Sequence, residues 1–309
     1  MSRKPSAMKS LRIALIVLAV LVLSIGVAVL YTGVKAKALY RDIDTEEVVK
    51  SAMQFDSYGN SENPTLLLLH GMFMDGTMMR EQALRLSDSY YVVTPTFHSM
   101  EGAQETVFGT FDSECEYIEE FVDEYLGGHL DFAYGISMGA TALYHLMRRG
   151  KISIRKAVLD GLYTANQGMI AAYMTSTNYH KFHEQTLMGQ DFDLGIMKIG
   201  FKLMGMTEDD AKSMFRNEMT RNHMTLKNMS RVAYANYTYK VGNDDFIKDT
   251  DVFLWRGSKE PYAMKSNNMV KSHISSVQEE VFDGYGHGEL VMKHKLEWDE
   301  KIRAAFPLS

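Results

Sequence analysis

The chain has 309 residues, 46% of them hydrophobic and 23% charged, the composition of an ordinary folded protein and not of a disordered or collagen-like one. Its formal charge of −6 is unevenly spread: all six basic residues before residue 39 (Arg3, Lys4, Lys9, Arg12, Lys35 and Lys37) flank an apolar run, and without them 27 basic residues face 39 acidic ones, a formal −12. A body that acidic does not suit nucleic acid, whose phosphates call for clustered Lys and Arg, and the single Cys115 excludes a disulfide scaffold.

The apolar run comes first in chain order. Ile13 to Thr32, IALIVLAVLVLSIGVAVLYT, carries no charge over 20 residues, about the length that crosses a bilayer as helix. We expect residues 1–12 to be a cytoplasmic N-terminus and 13–32 a transmembrane signal-anchor. Ala36-Lys37-Ala38 has the small-x-small form of a cleavage site, so the alternative is a signal peptide to residue 38, with the body then secreted. The run exceeds the roughly 7–15 residues of a secretory apolar region, which favours the anchor. Four basic residues precede the span and three (Lys35, Lys37, Arg41) follow it, so the positive-inside rule leans towards an extracytoplasmic body at the cell membrane.

Past residue 40 strands and helices alternate. Val48 to Phe55 reads as a strand, with turn chemistry at Asp56-Ser57-Tyr58-Gly59-Asn60. Thr65 to Leu69 is a short, fully apolar run, the mark of a strand buried on both faces. Similar runs recur at Tyr90 to Thr94, Leu130 to Tyr134, Ala157 to Leu159, Val252 to Trp255 and Glu280 to Phe282. Helical stretches lie near Thr77 to Leu86, Asp112 to Leu126, Met138 to Arg149 and Glu289 to Ala305. The acidic run Asp112 to Glu124 reads as a solvated helix face, with Cys115 structural. This alternation predicts a mostly parallel sheet with helices on both faces, over 40–162 and 250–309. The Met- and Tyr-rich stretch 163–249 breaks the rhythm and reads as a helical insertion, a cap or lid.

The chemistry centres on Gly135-Ile136-Ser137-Met138-Gly139. A G-x-S-x-G arises by chance in about one chain of this length in ten, so the pattern alone is weak. Its setting carries more: the apolar run LDFAY leads into it and the helical run ATALYHLMRR follows. That is the strand, sharp turn and helix of a nucleophile elbow, which exposes a serine Oγ at the turn. Upstream, LLLLHGMF leaves a buried strand through a glycine. Acyl transfer needs two pre-aimed N–H donors for its oxyanion, each worth about 3 kcal/mol, and Met72 and Met138 are the backbone candidates. His70 reads as a histidine that braces this loop.

Ser137 needs a base and the base an orienting acid. His287, among glycines in Asp283-Gly284-Tyr285-Gly286-His287-Gly288-Glu289, follows the last predicted strand. Glu260, in Trp255-Arg256-Gly257-Ser258-Lys259-Glu260, follows the strand before it and is the favoured acid. Asp160, at the end of the strand after Ser137, is the alternative.

With LLLLHGM, YGISMGA, LWRGSKE and GYGHGEL in this order, the chain from about residue 47 onward resembles the α/β-hydrolase superfamily, in particular its capped monoacylglycerol-lipase-like, esterase and proline-iminopeptidase-like members. The resemblance implies an α/β-hydrolase fold with an eight-stranded-type sheet. It also implies a Ser137 nucleophile, a His287 base, an acid at Glu260, an oxyanion hole at Met72 and Met138, and a lid formed by the insertion; no cofactor or metal is expected. The acid position usually holds Asp in that superfamily, which keeps Asp160 open.

His180-x-x-His183 beside Glu184 lacks the H-E-x-x-H order and a third ligand, so no metal site is expected there. Met169 to Met229 (with Met174, Met188, Met197, Met204, Met206, Met214, Met219 and Met224) read as core filling, or with Tyr173 and Tyr179 as the lining of an adaptable apolar pocket. The leading expectation is a serine hydrolase of carboxylic esters acting on a small ester or lipid-like molecule, membrane-bound through the N-terminal helix and without nucleic acid. Two alternatives stand beside it. One is an aminopeptidase of the proline-iminopeptidase kind, with Glu184, Asp191 or Asp193 binding a free amine. The other is a catalytically silent, membrane-tethered binding protein of the same fold.

Overall fold

A computed structural model describes residues 5–44, 52–100, 106–217, 219 and 224–308, in two units, Met1–Glu46 and Glu47–Ser309. The first unit is one helix, α1 (Pro5–Asp44). Within it Ile13–Arg41 is long and apolar enough to cross a membrane, with a mean hydropathy of 3.2 in its most apolar window, and fits a membrane anchor or a signal sequence. The helix runs past the expected end at Thr32 because Val34 to Arg41 contains good helix formers and no Pro or Gly. Arg3 and Lys4 lie outside the described residues.

Among its described residues the second unit carries a seven-stranded sheet in the order β1-β3-β2-β4-β5-β6-β7, of the eight-stranded type expected. The strands are β1 (Gln54–Tyr58), β2 (Thr65–Leu69), β3 (Tyr91–Thr96), β4 (His129–Ile136), β5 (Ser153–Asp160), β6 (Ile247–Gly257) and β7 (Ile274–Phe282). All neighbours are parallel except β1, which pairs antiparallel with β3. That pairing corrects the first expected turn. Asp56, Ser57 and Tyr58 lie opposite Thr94, Val93 and Val92, so backbone pairing with β3 holds these polar residues in strand form and the chain turns from Gly59, at φ 95°. Positions 48–51 of the expected first strand lie outside the described residues.

The helices of the core are α2 (Arg80–Leu86), after a 3-10 turn at Gly76–Met79, then α3 (Phe111–Leu126), α4 (Met138–Arg149), α9 (Pro261–Val270), α10 (Glu289–Lys293) and α11 (Lys295–Ala305). The expected helix 289–305 is broken at His294 (φ −107°, ψ 49°), and α9 went unread because its Ser-Asn-Asn stretch carries little helix propensity. Leu66, Leu68, Phe132, Tyr134, Val158 and Trp255 project to one face, where they meet Met79, Ala83 and Leu86, Trp298 and Ile302 of the C-terminal helix, and Phe306 just past it. Leu67, Leu69, Ala133, Ala157 and Leu159 alternate with them and are buried too. Burial on both faces is why these strands read as unbroken apolar runs.

The acidic face of α3 is not wholly solvated. Glu114 is buried and accepts from the His98 backbone N–H (3.1 Å), with His98 Nδ1 at 2.9 Å, while Glu119 is buried against Arg149 Nε at 2.7 Å. The loop after β3 and α4 cover them, a tertiary fact that helix periodicity does not carry. Among the described residues between β5 and β6 lie four helices, α5 (Gly168–Leu187), α6 (Met197–Leu203), α7 (Glu208–Asn217) and α8 (Leu226–Tyr237).

Candidate active site

The sheet order reverses between β2 and β4, since β3 and β1 lie to one side and β5, β6 and β7 to the other. In an open α/β sheet the crevice at the carboxyl ends of such a pair is the natural binding place. The register aligns those ends: Leu69 faces Gly135, Ile136 faces Asp160, and Gly257 faces Phe282. Every candidate residue leaves the sheet there.

Ser137 lies between β4 and α4 at φ 56°, ψ −114°, a conformation that costs a non-glycine residue roughly 1–3 kcal/mol. Two contacts hold the turn: the Ser137 N–H donates to Asp160 O (2.9 Å), and the Thr141 N–H to Ser137 O (3.1 Å). The flanking glycines are demanded by proximity. A Cβ on Gly135 would fall 2.4 Å from Gly139 O, and one on Gly139 2.4 Å from Leu69 O, so the turn is pressed against the end of β2. Ser137 stays partly exposed while its neighbours are buried.

From β2 the chain runs through His70-Gly71-Met72-Phe73, with Phe73 at φ 62°. The buried His70 ring uses both nitrogens to hold this loop: Nδ1 lies 2.8 Å from Gly71 O, and Nε2 accepts from the Phe97 N–H at 3.1 Å. Burial pushes its pKa down to about 4, so the ring is neutral and braces the loop. None of the described hydrogen bonds uses the backbone N–H of Met72 or of Met138.

His287 lies five residues past β7 and Glu260 three past β6, and both are buried. Nδ1 of His287 is 2.5 Å from Glu260 Oε1, while Glu260 Oε2 accepts from the Gly257 N–H at 2.5 Å. With Nδ1 donating to the carboxylate, Nε2 keeps its lone pair. Burial opposes the charged imidazolium, but the hydrogen bond to Glu260 and that carboxylate's charge outweigh it, and the His287 pKa stands above its ordinary value. The ring rests on the backbone of Gly161, at φ 57°, where an added Cβ would come within 2.8 Å of Nδ1 and Cε1.

Asp160 is close by but differently engaged. Its Oδ2 accepts from Tyr134 Oη at 2.7 Å, and no described hydrogen bond joins it to His287. Burial, and then the charge of Glu260, push its pKa up to about 7. Of the two candidate acids, the fold brings Glu260 to the imidazole.

Ser137, Met72 and His287 line one small cavity of about 50 Å³. Seven methionines surround it: Met72, Met74 and Met78 beyond β2, Met204, Met206 and Met214 from the stretch between β5 and β6, and Met292 on α10. The expected methionine group thus divides. Met174 and Met197 line a separate cavity, Met219 and Met224 are buried, and Met188 is exposed. Sequence reading missed the Met204-Gly205-Met206 turn. The His287 N–H donates to Met204 O at 2.8 Å, and a Cβ on Gly286 would fall 2.5 Å from Gly205 O, so this turn seats the histidine loop. The facing glycines were the available signal.

The acids considered for amine binding serve elsewhere. Asp191 is held by Arg216 (2.8 Å) and Lys212 (3.3 Å), and Asp193 by Lys198 (3.1 Å), all outside the cavity at Ser137, which Glu184 does not line either. Among the described residues no group of three or more His, Cys, Asp or Glu is disposed to hold a metal ion. Cys115 is buried, its thiol 3.6 Å from Ala142 O.

No protein-family model and no curated protein sequence matches the chain. Solved structures do. An alpha/beta hydrolase family protein from Desulfitobacterium hafniense superposes with a TM-score of 0.71 at 18% identity, covering 81% of this chain and 99% of that one. A thermophilic esterase from Thermogutta terrifontis gives 0.60 at 16%, covering 82% and 92%. The enol-lactonase from Burkholderia xenovorans gives 0.61 at 12%, covering 83% and 96%. At these identities the likeness is one of fold, and the fold is that of the α/β hydrolases.

Proposed function

We propose that this α/β-hydrolase fold works as a serine hydrolase that cleaves carboxylic esters of apolar, lipid-like substrates through an acyl-enzyme on Ser137. The observation that carries the reading is the 2.5 Å contact of His287 Nδ1 with Glu260, on a histidine that lines the same cavity as an elbow serine. Nε2 of His287 takes the Ser137 proton as Oγ attacks the ester carbonyl. The oxyanion so formed is met by the N–H groups of Met72 and Met138, each worth about 3 kcal/mol. Collapse breaks the ester C–O bond, and His287 returns the proton to the departing alcohol. Water then adds to the acyl-enzyme, giving its proton to His287, and the carboxylic acid leaves as Ser137 regains its hydrogen.

The methionine-rich lining supports an apolar substrate, since thioether side chains adapt to irregular shapes. In this reading residues 163–249 form a lid over the core segments 40–162 and 250–309. The N-terminal helix is a signal-anchor, with residues 1–12 cytoplasmic and the catalytic body outside.

The test is Ser137→Ala. It should abolish labelling by a fluorophosphonate probe and turnover of p-nitrophenyl esters while leaving the melting temperature within a few degrees. Turnover that persists in the variant sinks the reading. Protease digestion of intact cells should remove the body if it faces outside, and full protection refutes that topology.

A further inference from the structure

The cavity at Ser137 has only about 50 Å³, room for the reacting carbonyl and its nearest atoms, so both arms of an ester must leave it. Two larger cavities adjoin it. One, of about 300 Å³, shares Tyr179 and Met204 with the serine cavity and is lined by Ile196, Ile199 and Leu203 with tyrosines and methionines, and by no charged side chain. The other, of about 140 Å³, shares His287, Met206, Met214 and Met292 with it and is lined also by Asp210, Ser213, Glu289 and Lys293. There Lys293 Nζ lies 2.6 Å from Asp210 Oδ1.

Resting on the serine-hydrolase reading, we propose that these cavities divide the substrate: the uncharged one takes the acyl chain, and the charged one takes a compact, hydroxyl-bearing alcohol recognised by Asp210 and Lys293. The direction follows from the proton. The departing alkoxide must be protonated by His287, so the alcohol lies on the side that His287 lines, and His287 lines the charged cavity but not the uncharged one. The acyl chain is left the other exit, past Tyr179 and Met204. An uncharged lining suits it, because each buried methylene adds about fourfold to binding. Size restricts the alcohol. A cavity of about 150 Å³ takes up benzene, so 140 Å³ accommodates an alcohol of about six non-hydrogen atoms. Hydroxyls on that alcohol can give to the Asp210 carboxylate and accept from the Lys293 ammonium.

The experiment measures kcat/KM for four esters, the decanoate and butyrate of glycerol and of ethanol, with the full chain. Wild type should favour the glycerol over the ethyl ester by about 10-fold or more, the usual worth of a hydrogen bond to a charged group, and decanoate over butyrate. The double variant Asp210→Asn/Lys293→Met should collapse the glycerol-to-ethanol ratio towards one while the decanoate-to-butyrate ratio persists. Ile199→Asp, at a position 64% exposed, should do the reverse. Absence of a glycerol preference, its survival in the double variant, or exchange of the two responses overturns the assignment. So does an equal fall of both ratios in variants whose melting temperatures match wild type. Ser137→Ala, run beside them, separates the cases: hydrolysis that survives it refutes the hydrolase reading itself.

Discussion

The sharpest perturbation of the proposed mechanism is Glu260→Gln, because the surroundings of this side chain dictate how an amide must sit. Oε2 accepts from the Gly257 N–H at 2.5 Å, so the glutamine oxygen has to occupy that position and the NH2 group has to face His287 Nδ1. An NH2 group only donates, so Nδ1 must accept, and the single imidazole proton moves to Nε2. That is the nitrogen that takes the serine proton in the proposed mechanism, and once protonated it no longer can. Loss of the productive tautomer in a serine triad costs on the order of 10⁴-fold in kcat, about 5.4 kcal/mol of transition-state stabilisation. The variant also removes the hydrogen bond and charge that hold the His287 pKa up, so the acid limb of residual kcat/KM should move to lower pH. In the proposed mechanism wild type requires neutral His287, so its acid limb should lie above the ordinary imidazole range. The assay is p-nitrophenyl butyrate hydrolysis between pH 5 and 9, with active sites counted by fluorophosphonate titration. A variant that keeps activity within 10-fold of wild type, with an unmoved acid limb, refutes the role given to Glu260.

Three further outcomes follow from the same geometry. Gly161→Ala places a methyl 2.8 Å from the His287 ring at φ 57°, and should lower kcat by more than 10-fold while costing about 1 kcal/mol of stability in urea unfolding, the penalty of a left-handed non-glycine residue. Asp160, with its folded pKa pushed up to about 7 from 3.8, binds a proton in the native state that the unfolded chain has lost, so it subtracts from stability as pH rises from about 4 to 7. Asp160→Asn should therefore melt higher than wild type at pH 8 and show a flatter melting temperature against pH over that window; an unchanged profile contradicts the assignment. His70→Ala leaves Gly71 O and the Phe97 N–H buried without their partner, and should destabilise by about 2–6 kcal/mol in urea unfolding, at roughly 1–3 kcal/mol for each group.

Where local sequence sufficed, the cause was local physics. Thr65–Leu69 and Met138–Arg149 fall where the pattern placed them, because a strand buried on both faces and a helix between an elbow and a glycine cap are each specified by their own residues. The elbow was legible because a strand, two glycines and a serine are consecutive in the chain. Elements that depend on remote partners were not. Asp56 to Tyr58 pairs with β3 although its residues spell a turn, and Glu114 and Glu119 are buried by His98 and Arg149 although their helix spells a solvated face.

The same division runs through the site. Sequence alone determined an apolar N-terminal helix, a parallel-sheet body and strand ends bearing Ser137, His287, Glu260 and Asp160, because hydrophobic periodicity and glycine placement act within a few residues. It left two acids open for one histidine. Only the tertiary structure decided which of them meets Nδ1, because that depends on register between strands far apart in the chain: β6 ends beside β7, which carries Glu260 to His287, while Asp160 at the end of β5 is taken by Tyr134 from β4. Only tertiary structure, likewise, brought Met204 and Gly205, in the turn between α6 and α7, onto the histidine loop, since a contact made across more than eighty residues leaves no periodic trace in either segment.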